Sequence, residues 1–117
     1  MTTGEQQRIF TKAIARLILW AYENGYEMSY GEAYRPQWVA DEYAKRGIGV
    51  KSSFHINRLA IDLNLFKNGV YLTNTADYLP VGIAWEAMGG TWGGRFTKPD
   101  GNHFSWGEGA NKSEVKP

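Results

Sequence analysis

The feature that most narrows the possible folds is the pair of apolar runs Leu59–Phe66 and Val70–Thr73, separated by Lys67-Asn68-Gly69. Asn-Gly between two such runs is the strongest short-range signal for a two-residue hairpin, because both central residues of that turn need positive φ. In the first run Leu59, Ile61, Leu63 and Leu65 alternate with Ala60, Asp62 and Asn64, the period of a strand with unlike faces. An antiparallel sheet is therefore built into the chain, and Asp62 is expected on one of its rigid strands. Taken alone, a carboxylate there reads first as half of a salt bridge, and only beside His55 as a ligand.

Other segments supply helices. Phe10, Ala13, Ile14, Leu17, Ile18 and Ala21 recur at three and four residues between Gln6 and Asn24, giving an amphipathic helix with Thr3 as N-cap and Asn24-Gly25 as its stop. Tyr26, Met28 and Tyr30 alternate with polar residues as a short strand. Pro36 opens a helix over Gln37–Arg46, closed by Gly47 and Gly49, and Leu79-Pro80 opens another that runs to Met88 and ends at Gly89-Gly90. Trp85 and Met88 are expected to face inward from it. Lys98-Pro99-Asp100-Gly101 predicts a tight turn, followed by a last alternating strand from His103 to Trp106. Helices flanking a small antiparallel sheet make an α+β single domain. The boundaries are 1–106 for the folded unit and 107–117 for a polar, aperiodic, flexible tail.

The composition excludes several functions. The 117 residues suit one domain. Thirteen basic against twelve acidic side chains leave a formal charge of +1, which gives no electrostatic case for nucleic acid. No apolar run approaches the ~18 residues of a membrane span, and the N-terminus has no secretory-signal pattern. There is no cysteine, so a metal site must use His, Asp or Glu.

The chain has two histidines, His55 and His103, and each lies close in sequence to an aspartate. His55 and Asp62 would sit ~24 Å apart on opposite faces of one extended strand, so sharing a site requires a reversal between them. Asn57-Arg58 can provide it. His55, Asp62 and His103 then form a three-ligand zinc set with an open fourth position for water, the arrangement of a catalytic site. Asp100, three residues before His103, can reach that water without being a ligand and so act as general base.

Ser53-x-His55-x-x-Arg58-x-Ala60-x-Asp62 followed by Asp100-x-x-His103 resembles the zinc peptidase family of D-alanyl-D-alanine carboxypeptidases, vancomycin-resistance dipeptidases and phage L-alanyl-D-glutamate endolysins. That family's pattern is S-x-H-x-x-G-x-A-x-D with a later D/E-x-x-H. The one departure is Arg58, where many members carry Gly. Trp92-Gly93-Gly94 leading into Asp100-x-x-His103-Phe104 is similar to the small endolysin branch, and the likeness spans Tyr34 to Trp106.

The resemblance implies a Hedgehog/DD-peptidase-like fold and a zinc-dependent peptidase acting on peptidoglycan stem peptides. It implies Asp100 as the acid/base, Ser53 as a side chain orienting the metal site, and Arg35 near the substrate, where a guanidinium can grip a carboxylate. A structurally paired Arg35 reads equally well from the residues alone. Trp92 is assigned to the substrate groove, with core packing as its other reading. Small size and the W-G-G segment favour an endopeptidase for the L-alanyl-D-glutamate bond over a D-alanyl-D-alanine carboxypeptidase. A zinc- or wall-binding module without turnover is the other alternative. The expected protein is a monomer, held in the host cytoplasm until lysis and then acting on the cell wall, with no nucleic-acid or membrane partner.

Overall fold

The computed structural model describes residues 1–47 and 57–107. Ser53, His55 and all of the expected tail except Gly107 lie outside the described residues.

The first helix, α1 (Thr3–Glu23), buries Phe10, Ala13, Ile14, Leu17 and Ala21, the stripe its periodicity predicts. Its N-cap is Thr2 rather than Thr3: the Thr2 hydroxyl accepts the Glu5 N–H at 3.1 Å and donates to the Glu5 carboxylate at 3.1 Å. The spacing Thr-x-x-Glu is that of a capping box, a pattern that Thr3-x-x-Gln6 shares, so the spacing alone does not separate the two threonines. Gly25, at φ +85°, turns the chain out of the helix into β1 (Tyr26–Tyr30).

Helix α2 (Gln37–Lys45) begins directly after Pro36, and Gly47 follows it at φ +71°. The predicted hairpin is β2 (Ala60–Lys67) and β3 (Val70–Leu72), with Asn68 at φ +54° and Gly69 at φ +75° in the turn. A 3-10 turn over Thr75–Tyr78 leads into α3 (Leu79–Ala87), then β4 (Thr91–Trp92), a second 3-10 turn over Gly93–Arg95, and β5 (His103–Ser105). The domain is α+β, with a five-stranded antiparallel sheet ordered β1-β2-β5-β4 and β3 paired to β2.

Strand β2 pairs with β1 over Leu63–Lys67 on one edge and has two successive neighbours on the other. Ala60, Ile61 and Asp62 pair with Ser105, Phe104 and His103 of β5, whereas Leu65, Phe66 and Lys67 pair with Leu72, Tyr71 and Val70 of β3. At the changeover the Tyr78 hydroxyl accepts from Leu65 N at 3.0 Å and donates to Leu72 O at 2.8 Å. One phenol thus satisfies backbone groups of both hairpin strands, a requirement once they are out of water.

The core lies where α1 and α3 meet the sheet. Trp85 is fully buried at its centre, edge-on to Phe10 and Phe104 at centroid distances of 6.1 and 6.3 Å, with Trp106 at 5.4 Å. Its indole N–H is shared between the carbonyls of Thr91 and Ser105, both at 3.1 Å, which fixes α3 to β4 and β5. Met88 packs against this core from the helix end, partly buried. Burying apolar area of this kind contributes about 25 cal/mol per Å², and the shared N–H gives the large ring a single orientation.

Candidate functional site

Asp62 and His103 are direct partners across the β2–β5 ladder. Side chains of opposed residues project from the same face of a sheet, so hairpin register and the return of β5 place a carboxylate beside an imidazole. His103 Nδ1 lies 3.8 Å from Asp62 Oδ1. His103 is only 5 % exposed and packs against the Phe96 ring at a centroid distance of 5.1 Å, which leaves it little freedom to turn away.

Asp100 joins them through a turn. Its N–H donates to Gly93 O at 2.9 Å, and its carbonyl accepts from His103 N at 3.1 Å, so the turn runs Asp100-Gly101-Asn102-His103 and not Lys98–Gly101 as the Pro-Asp-Gly spacing predicts. The reason is tertiary: Gly93 captures the Asp100 N–H, and Gly101 is pressed against Thr75, where a Cβ would come 2.8 Å from Thr75 Cα. Gly101 is needed there for lack of a side chain. The last strand also differs from expectation. His103, Phe104 and Ser105 are all buried, because β5 lies between β2 and β4.

One donor atom from each of Asp62, Asp100 and His103 lies within 4.8 Å of the others, a group that could hold a metal ion. Two ligands of one zinc at ~2.0–2.2 Å each can be no more than ~4.4 Å apart, so the 3.8 Å between His103 Nδ1 and Asp62 Oδ1 fits a shared ion. Nitrogen and carboxylate oxygen are donors that zinc accepts. Asp62 and His103 are held on strands, whereas Asp100 is exposed at the end of a loop and has room to face an incoming molecule.

The surroundings show why the segment Trp92-Gly93-Gly94 has its composition. A Cβ on Gly93 would fall 2.3 Å from Asp100 O and 2.6 Å from His103 Cβ, and one on Gly94 would fall 2.2 Å from the Trp92 ring. A Cβ on Gly82 of α3 would likewise fall 2.2 Å from the same ring. Trp92 is 3 % exposed, and its indole N–H donates to Gly101 O at 2.7 Å. Its ring therefore braces the Asp100–His103 turn from within the core, the packing role that the sequence also allowed it. Arg95 reaches back from this segment to Glu86 on α3 through two hydrogen bonds of 3.1 and 3.0 Å. Glu86 raises the Arg95 pKa, first by hydrogen bond and then by charge.

On the other side of Asp62 the sheet gives way to a loop. Gly31 N donates to Asp62 O at 2.7 Å and Asp62 N donates to Glu32 O at 2.8 Å, so the loop carrying Arg35 is hydrogen-bonded to this residue. A Cβ on Gly31 would lie 2.9 Å from Asp62 Cβ, another close approach that only glycine permits. Arg35 is paired: its Nε donates to Glu32 Oε1 at 2.7 Å, and its guanidinium lies 5.2 Å from the centre of the Tyr43 ring. Asn57 and Arg58 lie in a turn, with Arg58 at φ +57°, a backbone conformation that glycine adopts readily. Gln7 of α1 holds the turn by donating to Asn57 O at 2.8 Å. The sequence alone does not mark Gly31 or Glu32, whose places beside the site depend on contacts distant along the chain.

A family model described as D-alanyl-D-alanine carboxypeptidase matches residues 46–106, more than half of the chain. Among solved structures, the crystal structure of the Serratia marcescens L-Ala D-Glu endopeptidase ChiX is similar, with a TM-score of 0.71 at 21 % identity over 90 % of this chain and 86 % of that one. That likeness is one of fold. No match was found among curated proteins.

Proposed function

The chain belongs to the D-alanyl-D-alanine carboxypeptidase family, and from that premise we propose that it is a zinc-dependent endopeptidase of peptidoglycan stem peptides, cutting between L-alanine and D-glutamate. The observation that carries the reading is the meeting of Asp62, Asp100 and His103 within 4.8 Å. Asp62 and His103 would hold the metal together with His55. A bound zinc ion would supply a Lewis acid for the scissile carbonyl and lower the pKa of a water on it toward ~7.

The residues divide the remaining work. Asp100, exposed at its turn, takes the proton of the attacking water and delivers it to the leaving amine, a role that contributes on the order of 10²–10⁴ in rate. His103, packed against Phe96, keeps its ring orientation through turnover, and the ladder hydrogen bonds of β2 keep Asp62 opposite it. Ser53 is assigned to orienting His55, two residues away.

The choice of bond rests on Trp92-Gly93-Gly94 preceding Asp100-x-x-His103-Phe104, and on a fold shared with an L-Ala D-Glu endopeptidase. On the same pattern we assign the chain to the phage endolysins, as a monomer that waits in the host cytoplasm and reaches the wall at lysis. No described helix is long and apolar enough to cross a membrane. The description of the matching family favours a second reading, removal of a terminal D-alanine.

Digestion of a synthetic L-Ala-γ-D-Glu stem peptide beside a D-Ala-D-Ala-ending one, with and without chelator, separates the two. Chelator-sensitive release of the N-terminal L-alanine fragment is expected. Free D-alanine with the L-Ala–D-Glu bond intact would reverse the assignment, and undiminished cleavage in chelator would remove the metal.

A further inference from the structure

Two arginines touch the loop that is hydrogen-bonded to Asp62, Arg35 from within it and Arg58 from the turn before β2, and they are in opposite electrostatic situations. Arg35 is 14 % exposed at its side chain and already engaged by the Glu32 carboxylate. Gripping a substrate carboxylate would mean breaking a partly buried ion pair, which is costly because a charge is left unpaired out of water. Arg58 is exposed, lies 4.2 Å from the centre of the Tyr34 ring, and pairs with no carboxylate among the described residues. Tyr34 is two residues past Glu32, whose carbonyl accepts the Asp62 N–H.

The backbone adds a second observation. Arg58 stands at φ +57°, where a non-glycine side chain costs roughly 1 kcal/mol relative to glycine. The Tyr34 ring, its centre 4.2 Å from the guanidinium carbon, attracts the cation and offsets part of that cost without supplying it a carboxylate partner.

We propose that Arg58, and not Arg35, is the specificity-determining residue for an anionic substrate, gripping the free α-carboxylate of the D-glutamate in the stem peptide. The proposal rests on the peptidase reading above. Tyr34 is its positioning residue, and the Glu32–Arg35 pair is a strut that holds the loop.

The test uses the full chain with zinc and two synthetic stem peptides that differ only in D-glutamate against D-isoglutamine, its α-carboxamide. The wild type is expected to favour the carboxylate peptide by about 5-fold in kcat/KM, the range of an exposed charge pair, chiefly through KM. In Arg58→Gly that ratio collapses toward one, while the thermal midpoint holds or rises because glycine suits the backbone there. Arg58→Lys keeps a ratio above one, since the charge remains. An unchanged ratio in Arg58→Gly, or an equal loss on both peptides, would overturn the proposal. If neither peptide is hydrolysed the peptidase reading has failed, and calorimetric binding of the same two peptides then decides: carboxylate-dependent affinity lost in Arg58→Gly supports the assignment, and affinity indifferent to the carboxylate removes it.

Discussion

The two ends of β2 belong to one strand and obey different rules. At the hairpin end, Leu65–Lys67 lie between β1 and β3, the turn is local, and Asn68 and Gly69 have the positive φ values that their sequence advertises. Nothing lies within 4 Å of a Cβ built on Gly69. At the other end, Asp62 is hydrogen-bonded to Gly31 and Glu32 on one side and paired with His103 on the other, partners about 30 residues before it and 41 after it. Glycines there are chosen for contact, since a Cβ on Gly31 or Gly93 would strike Asp62, Asp100 or His103. The hairpin end is set by neighbours in sequence, and the site end by close packing of distant segments. Substitutions at the first should cost stability, and at the second function.

The largest contrast comes from removing a donor. Asp62→Ala and His103→Ala are each expected to bring bound zinc to background by elemental analysis and hydrolysis with it, and full metal occupancy in either would sink the ligand assignment. Next is Asp100→Asn, expected to keep about one metal per chain while kcat/KM falls by on the order of 10²-fold or more. A metal-free variant would move Asp100 from base to ligand. Gly93→Ala should weaken metal affinity or activity by about 10-fold, as losses around a metal site usually do, because the new methyl displaces the Asp100 carbonyl and His103 Cβ. Zinc titration and kinetics equal to the wild type would show that the turn yields without consequence.

At the hairpin end the expected effects are smaller and thermodynamic. Tyr78→Phe leaves the Leu65 N–H and Leu72 carbonyl without their hydroxyl partner, a loss of about 1–3 kcal/mol by denaturant titration. Activity at a temperature where the variant is folded should not change. Tyr78 also sets a pH dependence: burial raises its phenol above the ordinary value of 10.0, against the lowering effect of the Leu65 hydrogen bond. A raised pKa means that the folded state holds this proton more tightly. Its contribution is complete below the unfolded pKa of about 10 and is lost as pH climbs through the folded value, so stability of the wild type should decline in strong alkali more steeply than that of Tyr78→Phe. The smallest effect is Gly69→Ala, about 1 kcal/mol from the strained φ alone, with no steric term to add. A change in zinc affinity there would contradict the independence of the two ends.

The sequence by itself determined the local structure. The stripe of α1, the Asn68-Gly69 hairpin, Pro36 before α2 and Leu79-Pro80 opening α3 all follow from periodicity and turn chemistry acting over a few residues. It also marked Asp62, Asp100 and His103, because the order and spacing of their motif can be read without coordinates. Only the tertiary structure decided what depends on segments far apart in sequence. Trp92 became a core brace because Gly82 and Gly94 close on its ring, the last turn moved to Asp100–His103 because Gly93 captures the Asp100 N–H, and Arg35 was taken by Glu32 while Arg58 stayed exposed over Tyr34. Turns and helix starts are won by local dihedral preferences, whereas burial and pairing depend on which distant surface arrives to exclude the water.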